Sequence, residues 1–428
     1  MPEDSRPSTE EPRLTTSRPA RRRTRHPRHI IAATPLALAG LLALLVSGNS
    51  LRPFERITTI DGKMASKSDY FKDPEVQRLL LKHGIRVDIH RLGSRGIATQ
   101  SLRGMDVVFP SGQPAAKLIM QRQQRSVRTA RPFVTPLVLG TFRDYAKTLE
   151  AAGVARPQRA AGGGETLYYD LDMKKFLNLI EGRKTWNGID FAEHSNRSNA
   201  GRVLVRTSSV CESNAAGTYL SILAFVENDN QAPGTERDRH KPAGSGGGAA
   251  SDPVLDVAQQ VKPLINLQGM AADEQADSYF SDEGESIAPV SLIYEHQFLK
   301  HQVDHQKKRG KQDSRRVLLY PSPHALTEPE LISLGEQGDR LTELMESDAA
   351  LRRRAIELGF RVRFSGEDGT SEQLNAYLRE HEVQVPTPNP DQTKADAPDL
   401  DALERIINYV GSCPPAGQGD DEDDEGDE

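Results

Sequence analysis

Five short polar turns in this chain carry side chains suited to holding a polar or anionic molecule. Each follows an apolar strand pattern, so hydroxyls and amides come together with the free N–H groups of a following helix. An arginine in such a turn also offers parallel donors to a carboxylate or oxyanion. The candidate ligand-binding residues are Ser66, Lys67, Ser94, Arg95, Ser111, Gly112, Ser213, Asn214, Tyr294 and Glu295.

Each of these turns also has a purely structural interpretation. Serine or asparagine before a helix is a good N-cap and stabilises it by about 1 kcal/mol without any ligand. Arg95 could be a surface arginine, and Glu295 could pair with a basic group near the connection between two lobes. The sequence leaves these alternatives open. A ligand is favoured because turns from two lobes of the molecule would point into one cleft.

Histidines and serines suggest two further kinds of site, a metal site and a serine-enzyme active site. His301 and His305 are four residues apart and would share a helix face beside His296, but no acidic or cysteine partner is spaced to complete a metal shell. A serine enzyme would use Ser111 or Ser213 as its nucleophile, yet neither lies in a G-x-S-x-G turn or near a histidine. The sequence therefore predicts no metal, no cofactor and no catalytic residue, with a serine-dependent enzyme kept as an alternative.

From residue 57 onward, apolar runs of strand length alternate with helical patterns. This order predicts an α/β protein with parallel sheets flanked by helices. Two apolar strands, "PFVTPLVLG" and "VLLYPSP", stand where the chain would cross between two lobes. A bilobal body with two crossings has its natural ligand site in the crevice between the lobes.

The two ends of the chain differ from the body in charge and hydropathy. The arginine-rich leader precedes the uncharged run "IIAATPLALAGLLALLV". This pair predicts a transmembrane signal-anchor with the N-terminus cytoplasmic and the body outside. Small residues follow the apolar run, so cleavage of the leader and secretion is the alternative. The terminal "DDEDDEGDE" is typical of a solvated tail.

Domain boundaries are predicted from these shifts in composition. The segments are a basic leader (1–29), a transmembrane signal-anchor (30–48), lobe 1 (57–140 and 317–364), lobe 2 (141–316, with a disordered insertion at about 229–251), a C-terminal segment with a short helix (365–411) and an acidic tail (412–428). The two cysteines, Cys211 and Cys413, would lie outside the cytoplasm. They could pair there, but the sequence does not set the distance between them.

The order of several segments resembles a known family. "MDVVFPSGQPAA", "VLVRTSSVCESNAAGTYLSI", "VSLIYEHQFL" and "VLLYPSPHAL" are similar, in this order, to extracellular solute-binding proteins of actinobacterial type. The resemblance spans roughly residues 57 to 410. It implies a type II periplasmic-binding fold and reversible ligand binding. The first loop, the long insertion and the basic loop at 305–316 depart from the family pattern.

The sequence therefore predicts a membrane-anchored extracytoplasmic protein that closes two lobes on a small polar or anionic ligand. Its partner would be a membrane permease or an envelope protein, in transport or sensing. The alternative is an envelope interaction module that kept the fold without binding small molecules, which the polar insertions and the acidic tail favour. Nucleic-acid binding is not supported, because aromatic residues make up 5% of the chain and its basic loops are short.

Overall fold

The computed structural model describes residues 57–123, 128–159, 165–234, 252–268, 270–271, 275–362, 372–388 and 393–413. The basic leader and the apolar segment 30–48 lie outside these ranges, as do residues 235–251 of the insertion and residues 414–428 of the tail. Predictions for those segments stay predictions. None of the helices within the described ranges has the length and apolar character needed to cross a bilayer.

The first sheet is built mainly from the N-terminal half of the described chain. Its strands are β1 (Thr58–Met64), β2 (Ile85–Arg91), β3 (Val107–Phe109), β4 (Thr129–Ala130) and, from much later in the chain, β13 (Leu331–Ser333). They are ordered β2–β1–β3–β13–β4. β1 runs parallel to β2 and β3, whereas β13 is antiparallel to both of its neighbours.

The second sheet surrounds two buried strands that lie side by side. Its strands are β5 (Thr135–Phe142), β6 (Ala155–Pro157), β7 (Tyr168–Asp172), β10 (Val290–Tyr294) and β11 (Arg316–Ser322), in the order β10–β5–β11–β7–β6, and β12 (Leu326–Thr327) also pairs with β5. β5 is antiparallel to both β10 and β11, while β11 is parallel to β7. β8 (Thr207–Ser208) and β9 (Met270–Ala271) form a separate parallel pair.

Helices cover the sheets, and several of them begin at one of the polar turns. They are α1 (Ser68–Lys72), α2 (Pro74–Lys82), α3 (Ser94–Thr99), α4 (Gln113–Gln123), α5 (Arg143–Ala151), α6 (Met173–Glu181), α7 (Phe191–His194), α8 (Asn214–Glu227), α9 (Pro253–Gln268), α10 (Gln275–Phe280), α11 (Gly284–Ile287), α12 (Glu295–Arg309), α13 (Glu336–Ser347), α14 (Ala349–Glu357), α15 (Glu372–Glu380) and α16 (Leu400–Gly411). The start of α2 shows the local logic, because Asp73 caps it and Pro74 occupies its first turn.

The strands pass between the two sheets twice, from β4 to β5 and from β11 to β13. After α14 the chain is again on the side of the second sheet, where Gln384 contacts Tyr168 and α16 packs against α8 and α9. The expected α/β class with two sheet-centred lobes is confirmed, but both sheets are mixed rather than parallel. The predicted lobe boundaries, 140/141 and 316/317, fall inside β5 and β11. Both strands belong to the second sheet because they bond to each other and to its other strands.

The segment before the Ser213 turn, where the sequence shows an apolar strand pattern, is mostly irregular. Only Thr207 and Ser208 form a strand, while Val203 and Val205 are fully buried in the core. The apolar side chains of this segment are therefore explained by burial in the core and not by a strand. Glu212 and Ser213, which follow this segment, stay near the protein surface, where they border a cavity.

Candidate functional site

A cavity of about 560 Å³ lies between the strand ends of the first sheet and the turn that precedes α8. We call it the cleft. Both sides contribute mainly hydroxyl and amide groups, with a few charged side chains. Its lining residues are Ala65, Ser66, Arg91, Leu92, Gly93, Ser94, Ser208, Ser209, Glu212, Ser213, Asn214, Asp277 and Ser278.

Three serines and a lysine form a hydrogen-bonded chain on the first-sheet side of the cleft. Lys67 Nζ lies 3.5 Å from Ser66 Oγ, to which it donates. The hydroxyls of Ser66 and Ser111 are 2.6 Å apart, and the backbone N–H of Ser111 donates to Ser94 Oγ over 2.9 Å. Either hydroxyl can donate in the Ser66–Ser111 contact, and when Ser111 donates, Ser66 accepts from both neighbours and keeps its own proton for a ligand. This wall therefore favours a ligand with acceptor atoms.

Lys67 does not line the cleft itself, because its side chain is fully buried. Its ammonium lies 2.7 Å from the centroid of the Tyr294 ring, a cation–π contact that stabilises the charge away from water. Burial, reinforced by the Lys67 charge, holds the pKa of the neighbouring His296 well below its usual value. His296 is therefore neutral, and Lys67 supplies the positive charge beneath this wall.

The opposite wall is the N-terminus of α8. Ser213 caps this helix by accepting a hydrogen bond from the backbone N–H of Ala216 over 3.4 Å. Asn214 is buried, and its side-chain amide donates to Thr218 Oγ1 over 3.3 Å. A Cβ at Gly112 would overlap the Asn214 amide, so only glycine fits there without movement. The two walls of the cleft are thus in direct contact at this point.

The structure gives the ten candidate residues two different positions. Four of them line the cleft: Ser66, Ser94, Ser213 and Asn214. The other six do not line it, and they contact protein groups behind its surface: Lys67, Arg95, Ser111, Gly112, Tyr294 and Glu295.

Arg95 and Glu295 are both held by opposite charges of the protein. Arg95 forms a two-pronged ion pair with Glu404 of α16, with nitrogen–oxygen distances of 3.1 and 2.5 Å. Glu295 is fully buried and accepts two bonds of 2.6 Å from Arg361. The guanidinium of Arg95 does bind a carboxylate, but that carboxylate belongs to Glu404 of the same chain and not to a ligand.

Sequence reasoning missed the charged rim of the cleft. Arg91 ends β2, Glu212 precedes the cap of α8, and Asp277 with Ser278 comes from α10. Ser208 and Ser209 stand in the same polar run as Ser213 and could have been included on that ground. Asp277 and Ser278 carried no signal, because α10 is brought to the cleft only by folding.

A disulfide joins Cys211 to Cys413, with the Cα atoms 5.4 Å apart. The sequence left this pairing open. Cys211 precedes Glu212 and Ser213 at the cleft, and Cys413 follows the end of α16. The bond therefore ties the C-terminal helix to the turn that lines the cleft.

The histidines of α12 have protein partners. His301 Nε2 lies 2.9 Å from a carboxylate oxygen of Asp313, and His305 Nδ1 lies 2.7 Å from the carbonyl of Lys311. Elsewhere in the described residues, Asp61, Asp88 and His90 can bring one ligand atom each within 4.8 Å of one another. These three groups lie at the surface of β1 and β2, where acidic clusters are common without an ion, so we assign them no role.

No family model matches the chain, and no curated protein matches it. Solved structures give weak likenesses. Iron-bound HitA from Pseudomonas aeruginosa is 11% identical, with 83% of this chain and 99% of that chain covered and a TM-score of 0.47. A two-component system protein that mediates signal transduction is 10% identical, with 82% and 100% covered and a TM-score of 0.45.

A further likeness is to the periplasmic binding protein AfuA from Actinobacillus pleuropneumoniae, solved with fructose-6-phosphate. It is 9% identical, with 82% of this chain and 97% of that chain covered and a TM-score of 0.43. At such identities and TM-scores, these likenesses assign this chain neither a ligand nor an activity.

Proposed function

We propose that this protein is an extracytoplasmic solute-binding protein that holds a small polar or anionic ligand in the cleft. The observation that carries the proposal is the convergence of polar turns from both lobes on one cavity of about 560 Å³. That volume falls within the usual range for sites of small molecules. Closure of two lobes around a ligand would shift an equilibrium that a partner protein can sense.

The cleft's chemistry favours a ligand rich in hydrogen-bond acceptors. Ser66 is backed by the Lys67 ammonium, and α8 begins at Ser213 on the cleft wall, so the positive end of its dipole lies there. Serine hydroxyls both donate and accept, so they suit hydroxyl groups and oxyanions alike. At the rim, the carboxylates of Asp277 and Glu212 outnumber the guanidinium of Arg91, which disfavours a densely charged anion and favours a ligand of low net charge.

The location outside the cytoplasm is part of the proposal. It is supported by the basic leader followed by an apolar segment, and by the Cys211–Cys413 disulfide, which persists in an oxidising compartment. Anchoring through residues 30–48 would leave the cleft on the outer side of the membrane, where a permease or an envelope protein could read its closure.

The test is a thermal-shift screen of the full-length protein against oxyanions, sugars, amino acids and short peptides. A ligand at a hundred times its dissociation constant should stabilise the protein by about 2.7 kcal/mol and raise its melting temperature visibly. We expect the shift to disappear in the Ser213→Ala/Asn214→Ala double variant, which removes polar groups that face the cleft.

The matched control is Asp172→Ala, because Asp172 caps α6 through the backbone N–H of Lys175 and does not line the cleft. Loss of either cap should cost about 1 kcal/mol of stability, but only the cleft variant should lose the ligand-induced shift. A flat response across the whole panel would exclude the proposal and favour the envelope interaction module. A shift that survives in the double variant would place the ligand elsewhere.

A further inference from the structure

The C-terminal helix α16 belongs to the side of the molecule that carries α8 and α9. Asp399 caps it by accepting from the backbone N–H of Ala402 over 2.8 Å. Its apolar face packs against α9 and α8, with Ile406 fully buried. Lys262 of α9 donates to the carbonyl of Tyr409 over 2.7 Å, and Arg405 pairs with Asp252. The helix is thus fixed to this lobe by several contacts along its length.

On the side of the other lobe, this helix contacts α4 and holds the side chain of Arg95. Arg95, in the first turn of α3, is about 90% buried and forks onto the Glu404 carboxylate. The same guanidinium donates to Asn408 Oδ1 over 3.0 Å and to the carbonyl of Cys211 over 3.3 Å. Two side chains of α16 and one backbone carbonyl of the turn before α8 therefore bind a single arginine of the other lobe.

The backbone reinforces this grip at the edge of the cleft. The N–H of Arg95 donates to the carbonyl of Glu212 over 3.0 Å. A Cβ at Gly93 would lie 2.6 Å from that same carbonyl oxygen, so the close approach depends on glycine. Gly93 and Glu212 both line the cleft. The contacts around Arg95 therefore set how closely the two walls stand.

The disulfide completes the arrangement. Cys413 follows α16, and Cys211 lies beside Glu212. The disulfide therefore couples the end of α16 to the turn before α8 whose carbonyls bind Arg95. Glu404, Asn408 and the Cys211 carbonyl then move as one unit. Separation of the lobes has to break all of their bonds to Arg95 together and to rehydrate a buried guanidinium.

We propose that α16 is a strap between the lobes, in which Glu404 and Asn408 hold Arg95 and thereby keep the cleft closed. They are positioning residues, because they set the two walls without lining the cleft. Their effect on a ligand rests on the proposed function, but closure of the empty protein does not. The strap biases the equilibrium between open and closed forms toward the closed form.

The experiment measures amide hydrogen exchange of peptides covering residues 93–99 and 208–214 in the full-length protein without ligand. Glu404→Ala/Asn408→Ala should raise exchange of the Arg95 amide in peptide 93–99 at least tenfold, since that N–H loses its Glu212 acceptor when the lobes part. Peptide 208–214 serves as the internal reference, because its amides bond within their own turn. Small-angle scattering should show a larger radius of gyration. Glu404→Gln, which keeps an acceptor but loses the charge, should fall in between.

The matched control is Arg405→Ala, which removes an ion pair of the same helix that stays within one lobe. It should leave exchange in the two peptides unchanged. If Glu404→Ala/Asn408→Ala only lowers the melting temperature, as Arg405→Ala does, and exchange at 93–99 stays at the wild-type rate, the strap is excluded. Recovery of protection in Arg95→Glu/Glu404→Arg would confirm that the contact itself is responsible.

The outcomes separate the strap from the proposed function. Increased exchange together with a flat ligand screen would support the strap and reject the ligand. Unchanged exchange in a protein that binds a ligand would reject the strap and support the ligand site. If both hold, the strap variants should bind that ligand more weakly and release it faster.

Discussion

Gly112 shows how a single residue without a side chain allows the two lobes to meet. It precedes α4 on the first-sheet side, and the Asn214 amide occupies the space that its Cβ would fill. Its φ angle is not in the left-handed region, so the requirement for glycine is steric and comes from the opposite lobe. Asn214 is itself held by Thr218 within α8, so it has little freedom to withdraw.

Gly112→Ala should therefore lower the free energy of unfolding by about 1–3 kcal/mol, the usual cost of overpacking. Combining it with Asn214→Ala should relieve most of that loss, because the second change empties the contested space. Urea unfolding of the wild type, both single variants and the double variant gives the coupling energy. Strictly additive effects would show that the two residues do not meet in solution.

At the scale of elements, a buried charge cluster joins the start of α12 to β11 and to the segment after α14. The Glu295 carboxylate accepts two bonds from Arg361 and one, of 2.6 Å, from the Tyr320 hydroxyl. Burial, with the negative charge of Glu295, raises the pKa of Tyr320 well above its usual value, so this hydroxyl stays protonated and donates. The cluster locks three separate elements together.

Glu295→Ala should lower the free energy of unfolding by about 3–5 kcal/mol, because it leaves the Arg361 charge buried without its partner. Replacing both residues by methionine should cost much less, since no orphan charge remains. The control is Glu343→Ala, which breaks an exposed pair with Arg128 and should cost less than about 1 kcal/mol. A loss for Glu295→Ala no larger than that of the control would contradict this account; urea unfolding measures all three.

At the scale of the whole molecule, buried carboxylates make stability depend on acid pH. Burial acts to raise the pKa of Asp313, but the hydrogen bonds from His301 and Arg316 outweigh it and hold that pKa well below its usual value. For Asp73, burial acts in the same direction and the bond from Arg354 reverses it. A lowered carboxyl pKa contributes stability above the unfolded value of about 3.9, and this is lost as the pH falls toward the folded value.

The wild type should thus lose stability between about pH 5 and pH 2, with the loss reduced in Asp313→Asn. The variant should be less stable than the wild type at pH 6, and the gap should narrow as acid protonates the wild-type carboxylate. Chemical unfolding at a series of pH values checks this. A constant gap at every pH would contradict the assignment.

Part of the candidate site was predictable, because caps and turns are local. Ser213 before an apolar helical run has the pattern of an N-cap, and it is one, at the edge of the cleft. From the sequence, Arg95 looked equally suited to bind a ligand. Its guanidinium instead binds the carboxylate of Glu404, which lies on a helix far along the chain. Asp277 entered the cleft with no sequence signal for the same reason.

By itself, the sequence determined most of the alternation of strands and helices and the polar turns, because side-chain periodicity and capping act over a few residues. Only the tertiary structure decided which turns face the cleft and which are held by the chain. Arg95 meets Glu404 across 309 positions, and Cys211 meets Cys413 across 202. No local pattern encodes such partners, since the packing of α16 against α8 and α9 brings them together.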